Sequence, residues 1–190
     1  MSGNVVKRAG REEKRAGLVR ALSAIVLAEG LDALSLRPAA ARLGTSDRML
    51  LYYFGSKAEL VAETLEEVSG QLAVRLAVIS GDERLSPREM IRQAVALLTG
   101  PEVLPFMTLW EEICVRSARG DVFFRQVAER SVAFWSGWIC ERTVFPAGVE
   151  PEEGARAILV VLEGMIRVAP DSRGAVALAE VLETVLATGK

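Results

Sequence analysis

Side chains that can read a nucleic-acid surface are concentrated in one short segment of the chain. Arg48 can donate two hydrogen bonds to guanine O6 and N7, and Leu51 can meet a thymine methyl group. Asp47 can accept a hydrogen bond from a cytosine amine or orient Arg48. At 100° per residue, a helix places four such residues within a sector of about 140°: Asp47, Arg48, Leu51 and Tyr52. This face is typical of a helix that enters the major groove of double-stranded DNA.

The residues beside this helix suit the phosphate backbone. Ser46 lies at the predicted helix N-terminus, where unpaired backbone N–H groups attract anions, and Thr45 precedes it. Arg37, Arg42 and Lys57 flank the helix and would follow the phosphates, which position a protein on DNA without reading its sequence. The alternative is a helix of a compact bundle whose polar face is only solvated.

Two short helices joined by a glycine turn must hold this face outward. The first is expected to begin after Ser35 and to stop at Gly44. The second is expected over about 46–54, with Leu50 as its anchor in the core and Met49 turned away from the polar sector.

The charge of the chain is divided unevenly along its length. The net charge is −2, but residues 1–57 carry ten Lys and Arg against five Asp and Glu, and residues 58–190 carry thirteen against twenty. This asymmetry indicates a basic module for a polyanion joined to an acidic body.

The composition excludes several classes of function. The chain has no histidine and only two cysteines, Cys114 and Cys140, so a disulfide framework, a zinc finger and a His-dependent catalytic triad are not expected. We therefore expect no catalytic site, cofactor or metal. No segment is typical of a signal peptide or a membrane span, and a cytoplasmic protein is predicted.

Helix start and stop signals divide the rest of the chain. Residues 1–10 lack apolar periodicity and are predicted to be a flexible basic arm, and a first helix is expected over 11–29, ended by Gly30. Capping boxes begin helices after Ser56 and Ser86. Together these signals predict an all-α protein of about nine helices, with a DNA-binding helix-turn-helix domain over 11–56 and a ligand-sensing and dimerisation domain over 57–190. The later helices are expected over about 56–79, 86–99, 102–119, 122–144, 152–168 and 172–188.

The short helices also resemble a known family. Gly44-Thr45-Ser46, with Leu-Leu-Tyr-Tyr-Phe at 50–54 and Ser-Lys-Ala-Glu-Leu at 56–60, is similar to the signature of the tetracycline-repressor (TetR) family. The resemblance covers residues 12–60. It implies a homodimeric transcriptional regulator with an N-terminal helix-turn-helix and a C-terminal ligand-binding and dimerisation body.

The same resemblance implies that Ser46, Arg48, Tyr52 and Lys57 face DNA. Two departures from the family pattern stand out. The family usually has tyrosine at Leu51 and often histidine at Tyr53, and it has small residues at Asp47 and Arg48. The base preference of relatives therefore does not transfer to this chain.

Aromatic and sulfur side chains in two later helices form a candidate ligand site. Rigid aromatic walls with an acid nearby, Glu111 or Glu112, suit an apolar ligand that bears one polar or cationic group. The alternative is an ordinary aromatic core. The candidate ligand-binding residues are Phe106, Met107, Trp110, Glu111, Cys114, Phe134, Trp135 and Trp138.

The last two predicted helices have broad apolar faces. Such an excess favours packing against the same helices of a second subunit, and the alternative is burial within one subunit. The candidate dimer-interface residues are Ile158, Leu162, Met165, Leu178, Leu182 and Val185.

These features favour a ligand-responsive DNA-binding regulator, predicted to be a repressor that a small apolar or amphipathic effector releases from a palindromic operator. Its expected partners are double-stranded DNA, an unidentified effector and a second copy of the chain, with no membrane. One alternative is a DNA-binding regulator controlled by a protein partner. The other is a small all-α enzyme that uses the aromatic pocket.

Overall fold

The described part of the chain is built from α-helices. The computed structural model describes residues 2–80 and 83–168, with side chains over 9–77 and 83–167. A 3₁₀ turn at Leu31–Leu34 follows the first helix, and Leu85 forms an isolated parallel bridge with Thr143. The predicted all-α class is confirmed, and the predicted helix 172–188 lies outside the described residues. The helices are α1 Ser2–Glu29, α2 Leu36–Arg42, α3 Asp47–Phe54, α4 Lys57–Ser80, α5 Pro87–Leu98, α6 Leu104–Ala118, α7 Val122–Arg142 and α8 Pro151–Val168.

Serine side chains cap three of these helices, including the two that begin at the predicted capping boxes. Ser46 Oγ accepts a hydrogen bond from the Met49 N–H at the start of α3, with a distance of 3.3 Å. The hydroxyls of Ser56 and Ser86 accept equivalent bonds at α4 and α5, at 3.1 and 3.3 Å. Each bond satisfies one of the N–H groups that a helix start leaves unpaired, which fixes where the helix begins.

The first helix is longer than predicted. The segment expected to be an arm is helical from Ser2 onward, so α1 begins nine residues before the predicted start at Arg11. The prediction was wrong because apolar periodicity detects burial rather than helicity.

The chain divides into two compact units. Among the described residues, the first contains 2–72 and 108–127, and the second contains 73–107 and 128–168. Helix α4 has an apolar stripe that is buried at Val61, Leu65, Val68, Leu72 and Leu76. The predicted domain boundary between residues 56 and 57 stays a prediction. None of the helices in the described ranges is long and apolar enough to cross a membrane.

The core of the second unit includes three residues that were predicted to face a partner subunit. Ile158, Leu162 and Met165 of α8 are 4%, 4% and 1% exposed and pack in one cluster with Met90 and Val95 of α5. These three side chains are therefore covered by their own chain. The error arose because a broad apolar face does not tell which neighbour covers it.

The turn between α2 and α3 gives a test of the backbone. Gly44 has φ +62°, a conformation that costs other L-residues roughly 1–2 kcal/mol, and a Cβ at this position would meet no atom within 4 Å. We expect Gly44→Ala to lower the free energy of unfolding by about that amount, measured by urea denaturation. Gly17→Ala is the matched control, because Gly17 lies inside α1 with equally open surroundings and alanine there should stabilise by roughly 0.5–1 kcal/mol. Equal effects of the two substitutions would contradict this account.

Candidate nucleic-acid interface

The recognition face of α3 is held outward by two buried anchors. Leu50 and Phe54 are 0% and 1% exposed, one turn apart on the inner side of the helix. An isolated helix of eight residues is not stable in water, so α3 depends on this packing. The predicted role of Leu50 is confirmed.

The opposite side of α3 is open to solvent. Asp47, Arg48, Leu51 and Tyr52 are exposed, with Tyr52 56% exposed. Met49 is also 40% exposed, although it was expected to turn away from this face. The reason is that Leu50 and Phe54 are enough to anchor so short a helix.

The predicted phosphate-contacting residues fall into two groups. Ser46, Arg37 and Lys57 are exposed and Thr45 is half-buried, and their contact with phosphates stays a prediction. Arg42 differs, because its guanidinium is bonded to another side chain of the same unit.

Arg42 forms a forked ion pair with Glu29 at the end of α1. Its Nε lies 2.9 Å from Glu29 Oε1, and its terminal nitrogen lies 2.6 Å from Oε2. The hydrogen bonds lower the pKa of the Glu29 carboxyl and raise the pKa of Arg42. Because the carboxyl pKa is lowered, the pair stabilises the folded state at neutral pH and loses this effect as the carboxyl is protonated in acid. Arg42 thus ties α2 to α1, a role that its spacing in the sequence does not reveal.

Two arginines of α1 hold the aromatic residues at the end of α3. Arg11 donates a hydrogen bond to the Tyr52 carbonyl at 2.9 Å, and its guanidinium lies 4.9 Å from the centre of the Tyr52 ring. One turn later, the Arg15 guanidinium lies 5.6 Å from the centre of the Phe54 ring and is paired with Glu63 of α4. These long-range contacts were not predicted from the sequence.

A second brace reaches the helix-turn-helix from α6. Glu112 Oε2 accepts a hydrogen bond from the Leu31 N–H at 2.9 Å, at the start of the 3₁₀ turn. Arg116, one turn later, pairs with Asp32 at 2.6 Å and lies 5.1 Å from the Phe124 ring centre. Gly30 has φ +82°, and a Cβ there would lie 2.7 Å from Glu112 Oε1. Glu112 therefore acts as a cap for the turn rather than as the free acid of a ligand site.

The candidate ligand residues are only partly brought together. Phe134 and Trp135 form an edge contact with ring centres 5.1 Å apart, and Trp135 and Trp138 form another at 5.9 Å. Arg142 lies 4.3 Å from the Trp138 ring centre. In α6, Phe106 is buried, Glu111 is exposed, and Met107, Trp110 and Cys114 are half-buried. A single cavity lined by both groups stays a prediction.

The first unit also has an open groove of about 590 Å³ between α1 and α4. Charged residues such as Glu12, Arg20 and Glu66 line it, and none of the candidate ligand residues does. Within the described ranges, no group of three or more His, Cys, Asp or Glu residues is arranged to hold a metal ion.

One family model matches the part of the chain that contains the helix-turn-helix. Residues 18–64, which contain the helix-turn-helix, match the model of the bacterial regulatory proteins of the tetR family. The helix-turn-helix segment of this chain is therefore similar to that of the TetR family of transcriptional regulators.

Solved structures share the fold of this chain. A protein from Rhodococcus sp. described as a TetR-family transcriptional regulator matches with a TM-score of 0.68 and 20% identity, over 92% of this chain and 98% of its own. The multidrug binding protein EbrR, solved with proflavin, matches with a TM-score of 0.63 and 20% sequence identity. The match covers 90% of this chain and 98% of EbrR. A transcriptional regulator from Saccharomonospora viridis, solved with choline, matches with a TM-score of 0.57 and 19% sequence identity. The match covers 94% of this chain and 97% of that protein. No curated protein matches the sequence.

The brace from α6 leads to a stability prediction. Glu112→Ala should lower the free energy of unfolding by about 1–3 kcal/mol, because the N–H of the buried Leu31 loses a charged acceptor. Glu112→Gln keeps an acceptor oxygen and should cost less. Urea denaturation measures both, with Glu111→Ala as the control at an exposed neighbouring position. If Glu111→Ala and Glu112→Ala destabilise equally, the brace does not hold the turn.

Proposed function

We propose that this protein is a TetR-family repressor that binds a palindromic operator and leaves it when a small apolar or amphipathic effector binds. The observation that carries the proposal is the outer face of α3, where Arg48, Leu51 and Tyr52 are exposed above the buried anchor Leu50. A rigid short helix with such a face suits the major groove, where each base pair presents a distinct pattern of donors and acceptors.

Each exposed residue has a role that its chemistry supports. Arg48 reads a guanine through two N–H groups, and Leu51 contacts a thymine methyl group. Ser46 Oγ accepts the N–H of Met49 and still has its own O–H to donate to a phosphate. Arg37 and Lys57 add charge along the backbone.

A second subunit would set the spacing of two such helices. On α8, Val160 is 70% exposed, whereas Leu159 and Val161 beside it are half-buried against the core cluster that contains Leu162, so the uncovered side of the helix is that of Val160. We propose that a second copy packs here and places two α3 helices one DNA turn apart. The other predicted interface residues, Leu178, Leu182 and Val185, lie outside the described residues.

The aromatic side chains of α7 suggest the chemical class of the effector. Phe134, Trp135 and Trp138 present ring edges and faces close together, and aromatic faces attract organic cations. The guanidinium of Arg142 lies 4.3 Å from the Trp138 ring centre, a cation–π contact within the chain that an organic cation would replace at this ring. Two proteins of the same fold were solved with proflavin and with choline, which makes an organic cation with apolar surface the first class to test.

Release from DNA would use helix α6. This helix contains Phe106 and Trp110 among the candidate ligand residues, and its later turns contain Glu112 and Arg116, which brace the helix-turn-helix. An effector that binds better to a conformation with α6 displaced would weaken these two contacts and shift the population away from the DNA-binding form.

Selection from random DNA tests the proposal. The purified protein should enrich a two-fold symmetric site whose half-site centres are separated by about 10 base pairs or a multiple of it. Proflavin and choline, added to the selected complex, probe the effector class. Failure to enrich any sequence would contradict base reading, and enrichment of an asymmetric site would contradict the symmetric dimer.

Two substitutions separate base reading from backbone contact. Arg48→Ala should cost roughly 1–3 kcal/mol on the selected site and relax the preference at one base pair of each half-site. Lys57→Ala is the matched control, since it should weaken binding to selected and random DNA alike. Fluorescence anisotropy titrations on both DNAs measure the losses. Equal losses on both DNAs for Arg48→Ala would contradict its role as a base reader.

A further inference from the structure

Tyr52 has the most exposed aromatic ring of α3, and something must fix its direction. It is 56% exposed, and its only intrahelical ring neighbour is Tyr53, in an edge contact with centres 5.2 Å apart. A ring on the last turn of a short helix has many orientations to lose when it binds. Such an ordering cost weakens binding unless the free protein already holds the ring in place.

Arg11 supplies this restraint in two independent ways. Its guanidinium lies 4.9 Å from the Tyr52 ring centre, within the range of a cation–π contact. One terminal N–H group of the same guanidinium donates to the Tyr52 carbonyl at 2.9 Å. This carbonyl is one of the last four of α3, which have no partner within the helix. Arg11 therefore restrains both the ring and the backbone of one residue.

The neighbouring arginine shows that the arrangement is specific. Arg15 lies one turn further along α1 and contacts Phe54, which is 1% exposed and belongs to the core. Arg11 contacts Tyr52, which is exposed on the recognition face. Arg15 thus makes an inner contact at the end of α3, which serves packing, and Arg11 makes an outer contact, which serves the DNA-facing surface.

We propose that Arg11 is a positioning residue for DNA binding, which holds the Tyr52 phenol in the direction of a phosphate or base and does not itself neutralise a phosphate. The proposal rests on the proposed DNA-binding function. According to this proposal, α1 contributes to the DNA interface through Arg11, which orients the Tyr52 side chain. Arg11 itself lies outside the helix-turn-helix motif.

A double-mutant cycle tests the assignment. The affinity for the selected operator is measured for the wild type, Arg11→Ala, Tyr52→Ala and the double variant. Arg11→Ala should weaken binding roughly two- to fivefold, the effect of losing one exposed cation–π contact that orients the ring. In the Tyr52→Ala background, the same substitution should cost much less, because the ring that it orients is gone.

The salt dependence separates positioning from direct contact. A residue that neutralises a phosphate contributes about 0.9 to the slope of log K against log salt concentration. The slope for Arg11→Ala should therefore match that of the wild type. Arg11→Lys keeps the charge but loses the planar guanidinium, so it should also weaken binding and should fold normally. Lys14→Ala, at an exposed position of the same helix, is the control for the loss of one positive charge.

Each result decides the proposal. The proposal is supported if the loss of affinity in Arg11→Ala largely disappears in the Tyr52→Ala background and the salt dependence of binding is unchanged. Losses that add in the double variant overturn it, as does a slope reduced by about one phosphate contact. The proposal is also overturned if Arg11→Ala lowers the thermal midpoint of unfolding and weakens DNA binding equally in the wild type and in Tyr52→Ala. Arg11 would then only stabilise the fold. If the wild type prefers no DNA sequence, the proposed function fails first and the cycle has no operator to measure.

Discussion

The proposed DNA-binding surface depends on holding one short helix, the eight-residue α3, in place with a small number of buried side chains. A helix as short as α3 does not persist alone, so Leu50 and Phe54 must anchor it while the opposite side stays open. The cap at Ser46 and the turn at Gly44 fix its start, and both are local. The exposed polar and aromatic face follows from this arrangement, because Asp47, Arg48, Leu51 and Tyr52 are not needed as anchors and stay exposed to solvent.

The same constraint explains why the neighbouring helices brace the module from several sides. Arg11 holds the end of α3 at Tyr52, and Arg42 fixes α2 to Glu29. Glu112 caps the 3₁₀ turn from a position eighty-one residues away in the chain. An exposed ion pair is worth little by itself, whereas contacts that restrain one short element from different directions combine to fix its orientation.

Local signals in the sequence predict much of this fold, and long-range contacts account for what they miss. The caps at Ser56 and Ser86 follow from a glutamate three positions after each serine, and they are confirmed. The early start of α1 was missed because its polar residues carry no apolar period. The intrachain burial of Ile158, with Leu162 and Met165, was missed because an apolar face does not name its neighbour. The braces by Arg11, Arg42, Glu112 and Arg116 join residues that no local pattern connects.

Methylation interference on the selected operator tests the central claim, that the outer face of α3 reads bases in the major groove, most directly. Methyl groups at guanine N7 occupy the major groove, and methyl groups at adenine N3 occupy the minor groove. We predict that guanine N7 methylation blocks binding in two patches about one helical turn apart. Interference by adenine N3 methylation alone, or by neither modification, would contradict the account.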